Sequence, residues 1–223
     1  MLLVAVDTSG RNGSLALVRA EADVFETLAF EHLEGRMYSA QLIPALQHAL
    51  DQAHLKTADL DGFVVASGPG SFTGLRVGLS TVKGLAEVTG KPIAAVSVLE
   101  AAARVTNVDS RVLLALDAGR KQSFVGDYNL QAKTGKELLL TWEQFFELAK
   151  SSNTPAFSPD LALREAAALH KLCVNEVIAP QADTFARIGY EKLIAGDTTS
   201  AELLEANYLR ASDAELFSLP KLL

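Results

Sequence analysis

Apolar and polar residues along this chain alternate between a strand period and a helix period. Leu2–Val6 and Ser14–Val18 are short apolar runs around a turn at Asp7–Gly13, and Val24–Phe30 alternates apolar with polar positions. All three read as strands. Ser39–Ala53 then places Leu42, Ile43, Leu46, Leu50 and Ala53 on one helical stripe. Pro44 lies inside it, and its missing N–H predicts a kink near the first turns. Asp61-Gly62 turns into the buried run Phe63–Ala66, and Ser67–Ser71 leads to a second helix over Phe72–Val88, closed by Gly90 and Pro92. Pro92–Val98 reads as another buried strand, followed by an Ala-rich helix to about Val105. This order predicts an α/β lobe.

A second lobe begins near Asn107–Asp109. Its expected strands are Val112–Leu116, Ser123–Leu130, Glu137–Leu140 and Val174–Ile178. Its expected helices are Trp142–Lys150, Asp160–Lys171 and Asp183–Ile194, with Ala201–Leu209 as the last element. The division is therefore 1–106 and 107–223, with the final helix free to pack back on the first lobe. One internal echo crosses it. Val4-Ala5-Val6-Asp7-Thr8-Ser9-Gly10-Arg11 is similar to Leu114-Ala115-Leu116-Asp117-Ala118-Gly119-Arg120. Each is a buried strand that ends in Asp and turns into a second strand. Such a repeated unit resembles the head of each lobe in actin-like folds, whose two turns hold nucleotide phosphates from either side.

Composition narrows the choice. Of 223 residues 49% are hydrophobic and 21% charged, the balance of a globular protein. No apolar stretch approaches the ~20 residues of a membrane span, and the start of the chain reads as a strand and not a signal peptide. Cys173 is the single cysteine, which excludes an internal disulfide and fits the cytoplasm. Net charge is −7 with no basic run, so the chain alone lacks a phosphate-binding surface. His32, His48, His54 and His170 form no metal-ligand pair, and no nucleophile elbow supports a hydrolase triad.

Three groups of residues are candidates for function. Gly68–Gly74 joins a strand to a helix, where amides and the helix dipole favour an anion, or where Ser71 simply caps a tight turn. Asp7 and Asp117 end the two echoing strands and either serve a metal–phosphate site or cap their own turns. Gly74, Gly78 and Thr81 form a small-residue strip that packs on the protein's own sheet or faces a partner helix.

Leu3–Ser9, the string Ser67–Gly84 (S-G-P-G-S-F-T-G-L-R-V-G-L-S-T-V-K-G), Pro92–Leu99, Leu116-Asp117-Ala118 and Ala206-Asn207-Tyr208-Leu209-Arg210 together resemble the TsaB (YeaZ) family. The resemblance implies a two-lobe actin-like ATPase (ribonuclease H-like) fold and a role in making threonylcarbamoyladenosine beside the anticodon of tRNAs that read codons starting with A. It implies a heterodimer with the paralogous transferase TsaD, joined by the ATPase TsaE, a homodimer when alone, and tRNA contact only through the complex. TsaD carries two metal-binding histidines where this chain has Val98 and Ala102. The resemblance therefore implies a catalytically silent subunit with no metal or cofactor of its own, nucleotide and metal being expected on TsaD or at the shared junction. Helices one and two are expected to bind TsaD through Leu42, Leu46, Gly74, Gly78 and Thr81, so that a bulky residue at Gly78 blocks the partner and spares the fold. Asp7, Thr8, Ser9, Gly70, Ser71 and Asp117 are read as a vestigial phosphate loop. Two departures stand out: Tyr38 where the family usually has His, and Gly119 where it often has Arg. The alternatives are a free-standing actin-like phosphotransferase or hydrolase and a homodimeric scaffold. Acidity gives the first prediction. At ~150 mM salt the isolated chain will show no sub-micromolar tRNA binding in a filter or anisotropy assay, because no substantial counterion release is available.

Overall fold

A computed structural model describes residues 1–22, 24–34 and 37–210. The first lobe runs β1 (Leu2–Asp7), β2 (Gly13–Glu21), β3 (Val24–Leu33), α1 (Tyr38–Gln52), β4 (Gly62–Gly68), α2 (Phe72–Thr89), β5 (Ile93–Ser97) and α3 (Val98–Arg104). The second runs β6 (Arg111–Gly119), β7 (Gln122–Asn129), β8 (Thr134–Thr141), α4 (Trp142–Ser152), β9 (Ala156–Ser158), α5 (Leu161–Leu169) and β10 (Asn175–Glu176), and α6 (Ala182–Ile194) follows. The sheet orders are β3-β2-β1-β4-β5 and β10-β9-β6-β7-β8. Read from the other edge, the second is β8-β7-β6-β9-β10, so the lobes share one topology. In each, an antiparallel meander of three strands continues into two parallel strands. The echo at Asp7 and Asp117 is thus part of a duplicated architecture, the two-lobe α/β fold that the sequence predicts.

Layering explains the patterns. β4 is the parallel strand next to β1, buried at every position, and its sequence is accordingly a continuous small and apolar run. α1 and α2 cover one face of the first sheet with Leu42, Leu46, Leu50, Leu75, Leu79 and Val82. The other face is covered by α6 through Phe185, Ala186 and Ile188. The chain therefore returns from the second lobe to complete the first. Each fully buried Leu or Phe contributes about 1.5–3 kcal/mol. α4 and α5 cover one face of the second sheet through Phe145, Phe146, Leu163 and Ala167. α3 fills the space between the lobes, with Leu99 and Ala102 in the core against β6 and β7. Pro44 sits within α1, which runs on to Gln52. Ala201–Leu209 forms no helix; it is a turn followed by a tail without regular structure, with a β-bridge from Thr199 to Ile93 just before it. Residues 211–223 lie outside the described residues.

The small residues of α2 correct an expectation. Residues on a helix are about 100° apart, so Gly74, Gly78, Val82, Leu75, Ala86 and Leu79 occupy one continuous arc. Gly74 and Gly78 are buried with the leucines, and α2 lies on the turn after β1 with no side chain between. A Cβ at Gly74 would stand 2.0 Å from the Thr8 carbonyl oxygen, and one at Gly78 would stand 2.4 Å from Thr8 Oγ1. Thr8 Oγ1 donates to the Gly74 carbonyl at 2.8 Å, which locks this approach. The strip packs on the protein's own sheet. Gly74 and Gly78 do not face a partner, and neither do Leu42 and Leu46, which are 2% and 5% exposed. Thr81 is half-buried at the edge of the arc. Ile43, counted in the apolar stripe, is instead 52% exposed.

Opposite substitutions in this one helix test the packing. Gly74→Ala forces overpacking against backbone, at about 1–3 kcal/mol, and will lower Tm by several degrees. At Gly84 a Cβ would meet nothing within 4 Å. Gly84→Ala will therefore raise stability by about 0.5–1 kcal/mol, or roughly 1–4 °C. Equal effects of the two in thermal denaturation would refute the assignment of faces.

Candidate functional site

The turns after β1 and β6 meet across a cleft of about 1040 Å³ between the lobes. Asp7, Ser9, Gly70, Ser71 and Asp117 all line it, so the topology brings five of the six residues of the predicted phosphate loop to one cavity. Thr8, the sixth, points away into the α2 contact. The two turns are built alike. Asp7 Oδ1 accepts from the Ser9 amide at 2.8 Å, and Asp117 Oδ1 accepts from the Gly119 amide at 2.9 Å. Each Asp caps its own turn, the local geometry that favours Asp there. Gly119 has φ +73°, a left-handed conformation that an Arg would adopt only with strain. Tyr38, the other departure, is buried and its hydroxyl donates to the Gly10 carbonyl at 3.0 Å. It anchors the first turn from α1.

The electrostatics are those of a closed structure. Burial pushes the Asp7 carboxyl up, against the opposing effect of its bonds from Ser9. Burial also pushes the Asp160 carboxyl up, against the opposing effect of the Asp117 amide that donates to it at 2.6 Å. Two amides of the β4–α2 segment are committed: Ser71 donates to the Ser9 carbonyl at 2.7 Å, and Gly74 to Ser71 Oγ at 3.3 Å. Val98, where the resemblance implies a metal-binding histidine in TsaD, is on the cleft wall, and Ala102, the second such position, is in the core. Neither has a donor lone pair, so this donor set does not fit a metal. Arg11, Arg76, Asp160, Asn207, Tyr208 and Arg210 also line the cleft and were not singled out as site residues. Arg76 and Asn207–Arg210 carried a signal as parts of the family-like motifs, and Arg11 as the end of the internal echo.

A second surface lies on α1 and α2. Thr73, Ser80, Gly84 and Val88 are exposed along the outer side of α2, with Val88 at 87%. α1 exposes Ala40, Ile43 and Pro44 just after Met37, which is itself 61% exposed. Both helices thus present small and apolar residues to solvent. Among the described residues no helix is long and apolar enough to cross a membrane.

Comparison with known proteins places this geometry. Residues 32–206 match the family model described as TsaD, tRNA N6-adenosine threonylcarbamoyltransferase. The tRNA threonylcarbamoyladenosine biosynthesis protein TsaB of Bacillus subtilis is 30% identical over 96% of this chain and 96% of its own. A tRNA N6-adenosine threonylcarbamoyltransferase of Agrobacterium fabrum is 35% identical over 55% of this chain, but that match spans 36% of the relative. A solved structure from Pseudomonas aeruginosa, described as an uncharacterized protein with similarity to peptidase YEAZ, superposes with a TM-score of 0.77 at 25% identity. It covers 94% of this chain and 99% of that one. Matching over nearly the whole length of both chains, in sequence and in fold, this chain belongs to the TsaB (YeaZ) family.

Proposed function

We propose that this chain is a non-catalytic subunit in the biosynthesis of threonylcarbamoyladenosine in tRNA, acting by binding TsaD through the outer faces of α1 and α2. The observation that carries the reading is the exposed, small and apolar face of α2 on a chain related end to end to a TsaB protein. Small residues let a partner helix approach closely, and exposed apolar groups such as Ile43 and Val88 gain from burial. The same face serves a second copy when the chain is alone, so homodimer and heterodimer compete. TsaE and tRNA join through the complex.

Silence has its own support. Val98 and Ala102 offer no metal ligand, and the amides of Ser9, Ser71 and Gly74 are engaged within the protein. Nucleotide and metal are assigned to TsaD or to the shared junction, and no chemical step is routed through this chain. Its residues hold surfaces in place.

Gly84→Arg tests the interface. The site is open, so the variant will fold normally by circular dichroism. A contact of the usual ~1,200–2,000 Å² will not form around the added side chain, and TsaD binding will fall at least tenfold. Gly78→Arg will fail to fold, because its Cβ already meets Thr8. Wild-type TsaD binding by folded Gly84→Arg would place the interface elsewhere.

Asp7→Asn tests silence. The buried carboxyl has a raised pKa, so the unfolded chain releases its proton at lower pH than the folded one. The stability it contributes is complete below the unfolded value near 3.8 and is lost as pH rises through the folded value. Asn removes this cost while keeping an acceptor for the Ser9 amide. The variant will gain stability over wild type in urea melts at pH 7 and not at pH 3, and will support modification by the complex unchanged. A large loss of activity with an intact fold would instead give Asp7 a chemical role.

A further inference from the structure

The tail after α6 crosses from one lobe to the other. Thr199 donates its amide to the Ile93 carbonyl at the edge of the first sheet, and Leu204 is buried in that lobe's core. The Asn207 amide then donates to the Ser67 carbonyl at 2.7 Å, at the end of β4. Its own carbonyl lies so close that a Cβ at Gly68 would come within 2.9 Å of it. Tyr208 stacks on Phe72 at the start of α2, with ring centroids 4.8 Å apart, and accepts from Arg76 Nε at 3.3 Å. Two residues later the contacts belong to the second lobe. Leu209, partly buried, packs against its core, and Arg210 donates to the Ala118 carbonyl at 2.8 Å and to Gln122 Oε1 at 2.6 Å.

One carboxylate gathers these connections. Glu137, on β8, accepts from Ser97 Oγ at the start of α3, from Tyr128 on β7 and from Asn207 Nδ2. The first lobe, the second lobe and the tail meet on a single side chain. Burial and the neighbouring Glu137 charge push the Tyr128 phenol well above its ordinary range, so it stays a donor.

We propose that Ala206–Arg210 is a strap, buckled on Glu137, that holds the two lobes at one fixed angle and keeps the cleft from opening and closing. Proteins with two lobes around a cleft generally move about the junction between them. Here that junction is crossed by a segment bonded on both sides. The strap is independent of the partner proposed above, since its contacts on α2 are Phe72 and Arg76 and not Ser80, Gly84 or Val88.

Spin labels at Glu21 and Glu147, one exposed position per lobe, read the angle in the full chain with Cys173→Ser, diluted with unlabelled protein. The parent will give one narrow interlobe distance. Asn207→Ala with Tyr208→Ala and Arg210→Ala will broaden it at least about twofold while circular dichroism is retained. An unchanged narrow distribution in the folded triple variant overturns the proposal. If that variant does not fold, hydrogen exchange of the unsubstituted chain decides. The Asn207 amide will exchange at least about 100-fold more slowly than in an unstructured peptide, and exchange at the peptide rate overturns the strap.

Discussion

The contact on which most of this structure depends is the direct approach of α2 to Thr8. Gly74 and Gly78 leave no side chain between helix and turn, and Thr8 Oγ1 closes the gap with a bond to the Gly74 carbonyl. Three consequences follow from that one packing. The loop before α2 is drawn onto the β1–β2 turn, where Ser71 bonds Ser9 and forms the floor of the cleft. Leu75, Leu79 and Val82 are set over the sheet. The opposite side of α2, with Ser80, Gly84 and Val88, is left facing outward. An interior glycine costs a helix about 1 kcal/mol relative to alanine, and here the close approach offsets that cost.

Much of the fold was legible in the sequence, and the failures have physical causes. β1, β2, β4 and β5 are apolar runs bounded by turns, and α2 is bracketed by Ser71 and Gly90, so existence and type were readable. The duplication was visible in two Asp-ended strands because each Asp makes the same bond two residues on. β9 escaped because three residues carry no period, and Val174–Ile178 pairs only at Asn175–Glu176. The face of α2 was misassigned for a different reason. Glycine adds nothing to an apolar stripe, so a hydrophobic pattern treats buried glycines as a separate surface, and only the packed helix shows that they share the leucines' arc. The tail Ala206–Arg210 has no periodicity at all. Its order comes from partners far away in sequence, such as Ser67 and Glu137.

The cleft and the helix pair divide the functional reading. Five of the predicted loop residues do converge on the cleft, and some of their polar groups are engaged locally: Asp7 Oδ1 with the Ser9 amide, the Ser71 amide with the Ser9 carbonyl, and Asp117 Oδ1 with the Gly119 amide. A buried Asp7 with a raised pKa is a cost that a catalytic site would use and that a structural turn merely carries. The surface with unsatisfied potential is the outer side of α1 and α2, where Ile43, Pro44, Gly84 and Val88 are exposed among polar neighbours such as Gln47 and Glu87. A subunit that works by being held is consistent with both features.

The most direct test of this account is hydrogen exchange of the full chain with and without TsaD. Protection gained across Met37–Gln52 and Phe72–Thr89, with α4 and α5 unchanged, is the predicted result. Protection confined to α4, α5 or the turns of the cleft would contradict it.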